Sequence, residues 1–183
     1  MEFGNISEIG TLAVAIIGVG IGLFQYYKSV KVRRSSFVLS LLNQMKDDKG
    51  INKVIYQFHY GDFKYSRDFH GSGEYENDAD RTLLLFSYIC YLKEEKIITN
   101  KEFSFFEISI TQALHNDALI DYLYNLYHFV CHAEQFNPLT DGKDKALYCY
   151  LIKFADKSGY LPNDFYDKNA YKTNVLYHHY LNF

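Results

Sequence analysis

The sequence predicts an all-α protein in which a single N-terminal transmembrane helix precedes a cytoplasmic helical bundle. Nineteen residues without a charge lie between Glu8 and Lys28, near the start of the 183-residue chain. Apolar residues then recur with helical spacing along most of the remaining chain, which contains only 2 Pro. Hydrophobic residues make up 48% of the chain, which excludes intrinsic disorder and supplies a packed core. We therefore expect two parts, residues 1–34 and residues 35–183.

The uncharged segment has the length and the flanks of a membrane span. As a helix it would measure about 28 Å, close to the thickness of the hydrocarbon core of a bilayer. Phe24, Tyr26 and Tyr27 are placed as an aromatic belt at its end. A juxtamembrane basic cluster follows, consisting of Lys28, Lys31, Arg33 and Arg34. The positive-inside rule predicts that this cluster and everything after it lie in the cytoplasm.

Two other interpretations compete with a membrane anchor. A cleaved signal peptide begins with basic residues and ends at a small-residue cleavage site. This chain instead begins with Glu2 and follows its apolar run with Tyr26, Tyr27 and Lys28. A buried helix of a soluble protein is the second competing interpretation.

Small and polar residues share one side of the predicted span. At about 100° per residue they fall within roughly 80° of one another. The residues expected to line a passage or to pack between helices are Thr11, Ala15, Gly18, Gly22 and Gln25. Small residues allow close backbone approach between membrane helices, so the pattern predicts packing against copies of the same helix. Chance enrichment of glycine in a membrane span is the alternative.

Helical spacing continues after the basic cluster to about Lys49, with Gly50 as a plausible stop. A long polar loop is predicted over residues 61–80. The later helices are expected to begin at Asp80 and at the Thr99–Glu102 capping box, and to cover Asn116–Glu134 and Lys143–Lys157. Pro162 then opens a short final segment. The type of the segment from Asn52 to Tyr60 stays open.

Candidate metal ligands and nucleophiles are few. His128, Cys131 and His132 fall on one face of a helix, with His115 nearby, and could form part of a zinc set. A fourth ligand is not identifiable, so we interpret these residues as core or half-buried side chains. Cys90, Cys131 and Cys149 are likewise expected in the core of the bundle. No phosphate-binding loop, nucleophile elbow or zinc-protease motif occurs, so we predict no enzyme, no cofactor and no metal site.

The ribonucleases of the HEPN family place an Arg and a His on one helix with four to six residues between them. None of the four arginines of this chain has a His at that distance. The nearest pair is Arg67 and His70, which lie in the predicted loop. The net charge is only −3, which argues against binding nucleic acid by bulk electrostatics.

The order of these features resembles a known family. An N-terminal span, the basic junction KSVKVRR (28–34) and a helical domain of this size are similar to the small membrane accessory protein of type VI-B CRISPR systems. The resemblance implies a divergent HEPN-like fold that assembles into an oligomeric pore in the bacterial inner membrane. It also implies an RNA-guided, RNA-cleaving CRISPR effector as the functional partner, with no direct nucleic-acid binding by this chain.

Three functions are therefore carried forward. The leading hypothesis is a homo-oligomeric pore, in contact with membrane lipid, that depolarises the inner membrane during antiviral defence. The second is a membrane-tethered HEPN-type ribonuclease that uses unconventional residues such as His70, His128 or His132. The third is a plain membrane anchor whose helical bundle docks a partner.

Overall fold

The computed structural model describes the backbone of residues 3–71, 73–133 and 148–183. Before residue 15 it describes only one side chain, that of Thr11. The regular structure within these residues is helical throughout, which confirms the predicted all-α class. The six α-helices are α1 (Phe3–Asp47), α2 (Lys49–Tyr60), α3 (Glu74–Glu94), α4 (Asn100–Leu114), α5 (Asp117–Ala133) and α6 (Cys149–Lys157). Two short 3₁₀ turns, Arg67–Phe69 and Ala170–Lys172, lie between or after them.

The chain divides into two compact units, Met1–Leu41 and Leu42–Phe183. The first unit consists of most of α1, a helix of 45 residues with no proline or helix-stopping turn along it. Within the described residues, no helix combines the length and the apolarity that crossing a bilayer requires. The predicted span covers residues 9–27, and the side chains of 9, 10 and 12–14 lie outside the described part.

The boundary between α1 and α2 is set by Asp48. Its carboxylate accepts hydrogen bonds from the amides of Gly50 and Ile51, at 2.9 and 3.1 Å, and so caps the start of α2. Gly50 lies in the first turn of α2, and the prediction that it stops the preceding helix is wrong. An acidic N-cap sets this boundary more effectively than a glycine, because it supplies acceptors for the unpaired amides of the first turn.

α3 begins earlier than expected. The predicted loop over residues 61–80 contains the turn Arg67–Phe69 and the first two turns of α3. Glu74 and Glu76 lie in the first turn of α3, where carboxylates interact favourably with the helix dipole. The polarity of these residues led to the prediction of a loop. In the first turn of a helix, however, the same carboxylates stabilise the helix.

The second unit is built around α3, which packs against α2, α4 and α6, while α4 also packs against α2 and α5. Leu83, Phe86 and Ile89 of α3 are completely buried. The predicted capping box before α4 is confirmed, with Thr99 and Glu102 each bonded to the backbone amide of the other. α5 closely follows the predicted Asn116–Glu134, of which Glu134 lies outside the described residues. The predicted Lys143–Lys157 helix is described from Cys149, and residues 143–147 lie outside the description.

Gly50 occupies a position in which a side chain does not fit. A Cβ atom there would overlap the carboxylate of Asp78 and the guanidinium of Arg81. Arg81 binds Asp78 at 2.6 Å and Asp48 at 2.9 Å, so these three side chains join the start of α2 to α3. Close approach of α2 and α3 therefore depends on the absence of a side chain at residue 50.

We predict that Gly50→Ala destabilises the second unit by about 1–3 kcal/mol, because the added methyl group displaces the Asp78–Arg81 pair. Denaturant unfolding of the full chain in detergent, followed by circular dichroism, measures the change. Gly71→Ala is the matched control, since a Cβ at Gly71 meets no described atom within 4 Å. Equal stability of the two variants would contradict the proposed close approach.

Candidate functional site

The N-terminal helix exposes an unusual amount of apolar surface. The large apolar side chains between residues 16 and 27 are each 53–69% exposed. They are Ile16, Ile17, Val19, Ile21, Leu23, Phe24, Tyr26 and Tyr27. Contiguous exposed apolar surface of this kind marks contact with a membrane or with another protein.

The predicted small-residue face is exposed along its whole length. Thr11, Ala15, Gly18, Gly22 and Gln25 are all classed as exposed, on a helix that continues without interruption between them. A Cβ placed at Gly18 or Gly22 would meet nothing within 4 Å. Among the described residues of one copy, no atom lies beside a Cβ at either glycine.

The juxtamembrane basic cluster lies on the same continuous helix. Lys28, Lys31 and Arg33 are exposed, and Arg34 is half-buried. The Nε and Nη2 groups of Arg33 donate to the hydroxyl of Ser29 one turn earlier, at 3.3 and 3.1 Å. This contact directs the guanidinium of Arg33 back along the helix, towards the apolar segment.

The His70 side chain is hydrogen-bonded to Tyr65 and Glu76. A HEPN-type ribonuclease site would instead pair a histidine with an arginine. The Nδ1–H of His70 donates to Glu76 at 3.2 Å, and its Nε2 accepts from the hydroxyl of Tyr65 at 2.6 Å. Burial raises the pKa of Tyr65, and the negative charge of Asp121 raises it further. Arg67 is exposed in the neighbouring turn, and among the described contacts none joins it to His70. These two hydrogen bonds give His70 a structural role, in which it links the segment around Arg67–Phe69 to the start of α3.

A second histidine–carboxylate pair joins α5 to the C-terminal segment. His178 donates from Nδ1 to Asp121 at 2.6 Å, and its backbone amide donates to the other oxygen of the same carboxylate. Asn125, one turn along α5, binds the backbone of His178 and Tyr180. Burial raises the pKa of Asp121, and the hydrogen bonds from His178 and Asn125 oppose that rise. Sequence reasoning missed this pair, although Asp121 and Asn125 on an otherwise apolar helix face were a usable signal.

Two tyrosines share the half-buried carboxylate of Asp80. The hydroxyls of Tyr122 and Tyr148 donate to the same oxygen of Asp80, at 2.5 and 2.7 Å. Burial raises the pKa of both phenols, and the hydrogen bond to Asp80 raises it further. Both phenols therefore stay protonated and act as hydrogen-bond donors.

The candidate zinc residues are not brought together as a metal site. His128 is buried, and its Nε2–H donates to the backbone oxygen of Phe165 at 2.9 Å. His132 is exposed, and His115 binds the backbone oxygen of Thr111 instead. No group of three or more His, Cys, Asp or Glu in the described part of the chain has a geometry that could hold a metal ion. His128 is thus a core residue that ties α5 to the C-terminal segment.

The described residues of the second unit line at least two surface grooves. One, of about 590 Å³, lies between the end of α3, the start of α4 and α6. The other, of about 370 Å³, lies beside Tyr65, Asp121 and His178. Cys90 lies at the first groove, where burial raises the pKa of its thiol to about 12 and keeps it protonated.

Comparison of the chain with protein-family models, with curated proteins and with solved structures finds no match.

We predict that the stability of the bundle falls in acid through His128. Burial lowers the pKa of His128 below its ordinary value, so below about pH 6.5 the unfolded chain binds this proton more readily than the folded chain. The free energy of unfolding should therefore decrease between about pH 7.5 and about pH 5.5. In His128→Gln, whose amide can still donate to Phe165, the decrease should be smaller.

Urea unfolding of the full chain in detergent at the two pH values tests this prediction. His132→Gln is the control, because His132 is exposed on the same helix. An identical pH dependence in His128→Gln and in the parent protein would show that His128 is not the group responsible.

Proposed function

We propose that the protein is an oligomeric membrane protein whose N-terminal helices together form a passage that depolarises the bacterial inner membrane. The observation that carries this proposal is the exposure of the apolar and small residues of α1. The large apolar side chains from Ile16 to Tyr27 are more than half exposed, although exposure of such a surface to water is unfavourable by about 25 cal/mol per Å². Insertion into a bilayer removes that cost for the large apolar residues.

Self-association accounts for the small-residue face. Hydrocarbon tails are as apolar as leucine, so lipid alone gives no reason for small and polar residues to share one side of a helix. Gly18 and Gly22, with open space beside them, allow the backbones of two helices to approach closely. The hydroxyl of Thr11 and the amide of Gln25 lie on the same side and favour burial between helices over exposure to lipid.

A passage requires several copies, because one helix encloses no lumen. A closed ring places the same face of each helix towards the centre. The lumen would be only weakly polar, since Thr11 and Gln25 are the polar groups on that face. A narrow apolar passage of this kind excludes water until it widens, which provides a physical mechanism for gating.

The basic cluster supports a single-pass orientation with the second unit in the cytoplasm. Lys28, Lys31 and Arg33 are exposed immediately after the apolar segment, and cytoplasmic flanks of membrane helices are enriched in Lys and Arg. The proposed partner is an RNA-guided, RNA-cleaving CRISPR effector, which follows from the resemblance in domain order. The chain itself is proposed to have no catalytic role and no direct contact with nucleic acid.

Leucine substitutions on the small-residue face test the passage. We expect Gly18→Leu and Gly22→Leu to reduce the oligomer and the depolarisation of triggered cells, because the added side chains separate the helices. A Cβ at either position meets no described atom within 4 Å, so a loss of assembly would point to contacts between copies. Sizing in detergent and a potential-sensitive dye in cells are the two measurements.

Gly20→Leu is the matched control for this experiment. Gly20 has the same open surroundings, but it lies about 160–200° around the helix from Gly18 and Gly22. Ile16→Leu and Val19→Leu are further controls with little change in volume. If Gly18→Leu and Gly20→Leu behave alike in both measurements, α1 is a plain anchor and the bundle docks a partner by itself.

A cleavage assay separates the pore from the ribonuclease. We expect purified protein to leave single-stranded RNA intact, and His70→Gln to depolarise cells as the parent does, because His70 is bound to Tyr65 and Glu76. RNA cleavage that is lost in His70→Gln, with an unchanged circular dichroism spectrum, would favour the ribonuclease instead.

A further inference from the structure

The larger groove of the second unit has the size of a small-molecule site. We call it the α3–α6 groove, after the two helices that form its walls. Its volume is about 590 Å³, within the range of roughly 300–1,000 Å³ that ligand pockets occupy. Its apolar lining includes Ile98, Tyr150 and Phe154. Two aromatic rings and an aliphatic side chain give a ligand a surface on which a flat apolar group can pack.

The charge of the groove is opposite in sign to that of the chain. Three lysines, Lys93, Lys96 and Lys157, line it together with one carboxylate, that of Glu94. The ionised lining therefore has a net charge of +2, in a chain whose net charge is −3. A cleft with one predominant sign of charge attracts ligands of the other sign.

Lys93 contacts two aromatic rings rather than a carboxylate. Its ammonium lies 3.9 Å from the ring centroid of Phe103 and 4.8 Å from that of Phe154. Both contacts orient the charge, but neither cancels it. The ion pairs between described residues leave Lys93 without a carboxylate partner.

The other two lysines are available to a ligand as well. Lys157 binds Glu94 at 3.0 Å, but the lysine side chain is 67% exposed, and an exposed pair of this kind contributes little stability. Lys96 is exposed in the turn between α3 and α4, with a left-handed backbone (φ 57°) that favours glycine or asparagine. An anion can thus recruit both lysines without breaking a strong internal contact.

We propose that the α3–α6 groove binds a small organic phosphate, with its phosphate on Lys93, Lys96 and Lys157 and its apolar group on Tyr150 and Phe154. A phosphate fits better than a single carboxylate, because its double negative charge matches the net charge of the lining. Lysine ammonium groups bind phosphate as point charges and impose no planar geometry. This site is independent of the passage proposed for α1, so either proposal can fail alone.

Titration calorimetry of the full chain in detergent tests the site with three probes. Phenyl phosphate combines a phosphate with an aromatic ring, whereas inorganic phosphate and phenol each supply one of these parts. We expect saturable binding of phenyl phosphate, at lower concentration than either part, and weaker binding as salt increases. Lys93→Met, which keeps the apolar stem between the two rings, should weaken binding about tenfold.

Glu94→Gln distinguishes a specific effect from damage to the fold, because we expect it to tighten the binding of phenyl phosphate. It removes the negative charge of the groove and frees Lys157, whereas damage to the fold would only weaken binding. Lys53→Met, on the exposed side of α2, is the control for bulk charge and should leave binding unchanged. Three outcomes would each overturn the proposal. They are no saturable binding at millimolar phenyl phosphate, equal effects of Lys93→Met and Lys53→Met on binding, and no tighter binding in Glu94→Gln.

Discussion

Burial of α3 is the constraint on which the bundle depends. Three helices pack around it, and its residues Ala79, Leu83, Phe86 and Ile89 have no exposed surface. The exposed strip of α3 keeps Asn77, Arg81 and Glu94 in water, whereas a polar group directed towards the bundle needs a hydrogen-bond partner there. Asp80 obtains two such partners, Tyr122 of α5 and Tyr148 at the start of α6. One carboxylate on α3 is thereby hydrogen-bonded both to α5 and to the residue that precedes α6.

The C-terminal segment shows how the fold is completed without regular structure. Beyond α6 the described chain has a single short 3₁₀ turn, so its backbone groups lack the partners that a helix provides. Asn125, completely buried in α5, supplies several of them by binding the backbone of His178 and Tyr180. Tyr124 adds another by donating to the backbone oxygen of Asp167 at 3.0 Å. The abundance of tyrosine is useful here, since its ring fills the core while its hydroxyl reaches a polar backbone.

Features with local causes were predictable from the sequence, and features that join distant residues were not. The capping box of Thr99 and Glu102 spans three residues, so its pattern is visible in the sequence and the structure confirms it. The Asp121–His178 pair joins residues 57 positions apart, and no periodicity connects them. The role of His128 could not be predicted for the same reason. Its hydrogen-bond partner, the backbone oxygen of Phe165, is 37 residues away in the sequence and reaches His128 only in the folded chain. The small-residue face of α1 was readable because helical geometry alone places its members together, whereas the lysines of the α3–α6 groove meet only after α3, α4 and α6 have packed.

The two units place the same kinds of residue in opposite surroundings. In the second unit, Phe86 and Phe106 are completely buried by other helices of the bundle. In the first unit, Phe24 is 69% exposed, and no side chain of the described residues covers it. Under the proposed function, the covering of Phe24 comes from lipid, from other copies of the helix, or from both. Lipid accepts any apolar side chain and is indifferent to glycine, whereas a neighbouring helix restricts the size of the residues that it meets. Under the proposed function, copies of the helix therefore cover the side that carries Gly18 and Gly22, while lipid covers the opposite side, on which Gly20 lies.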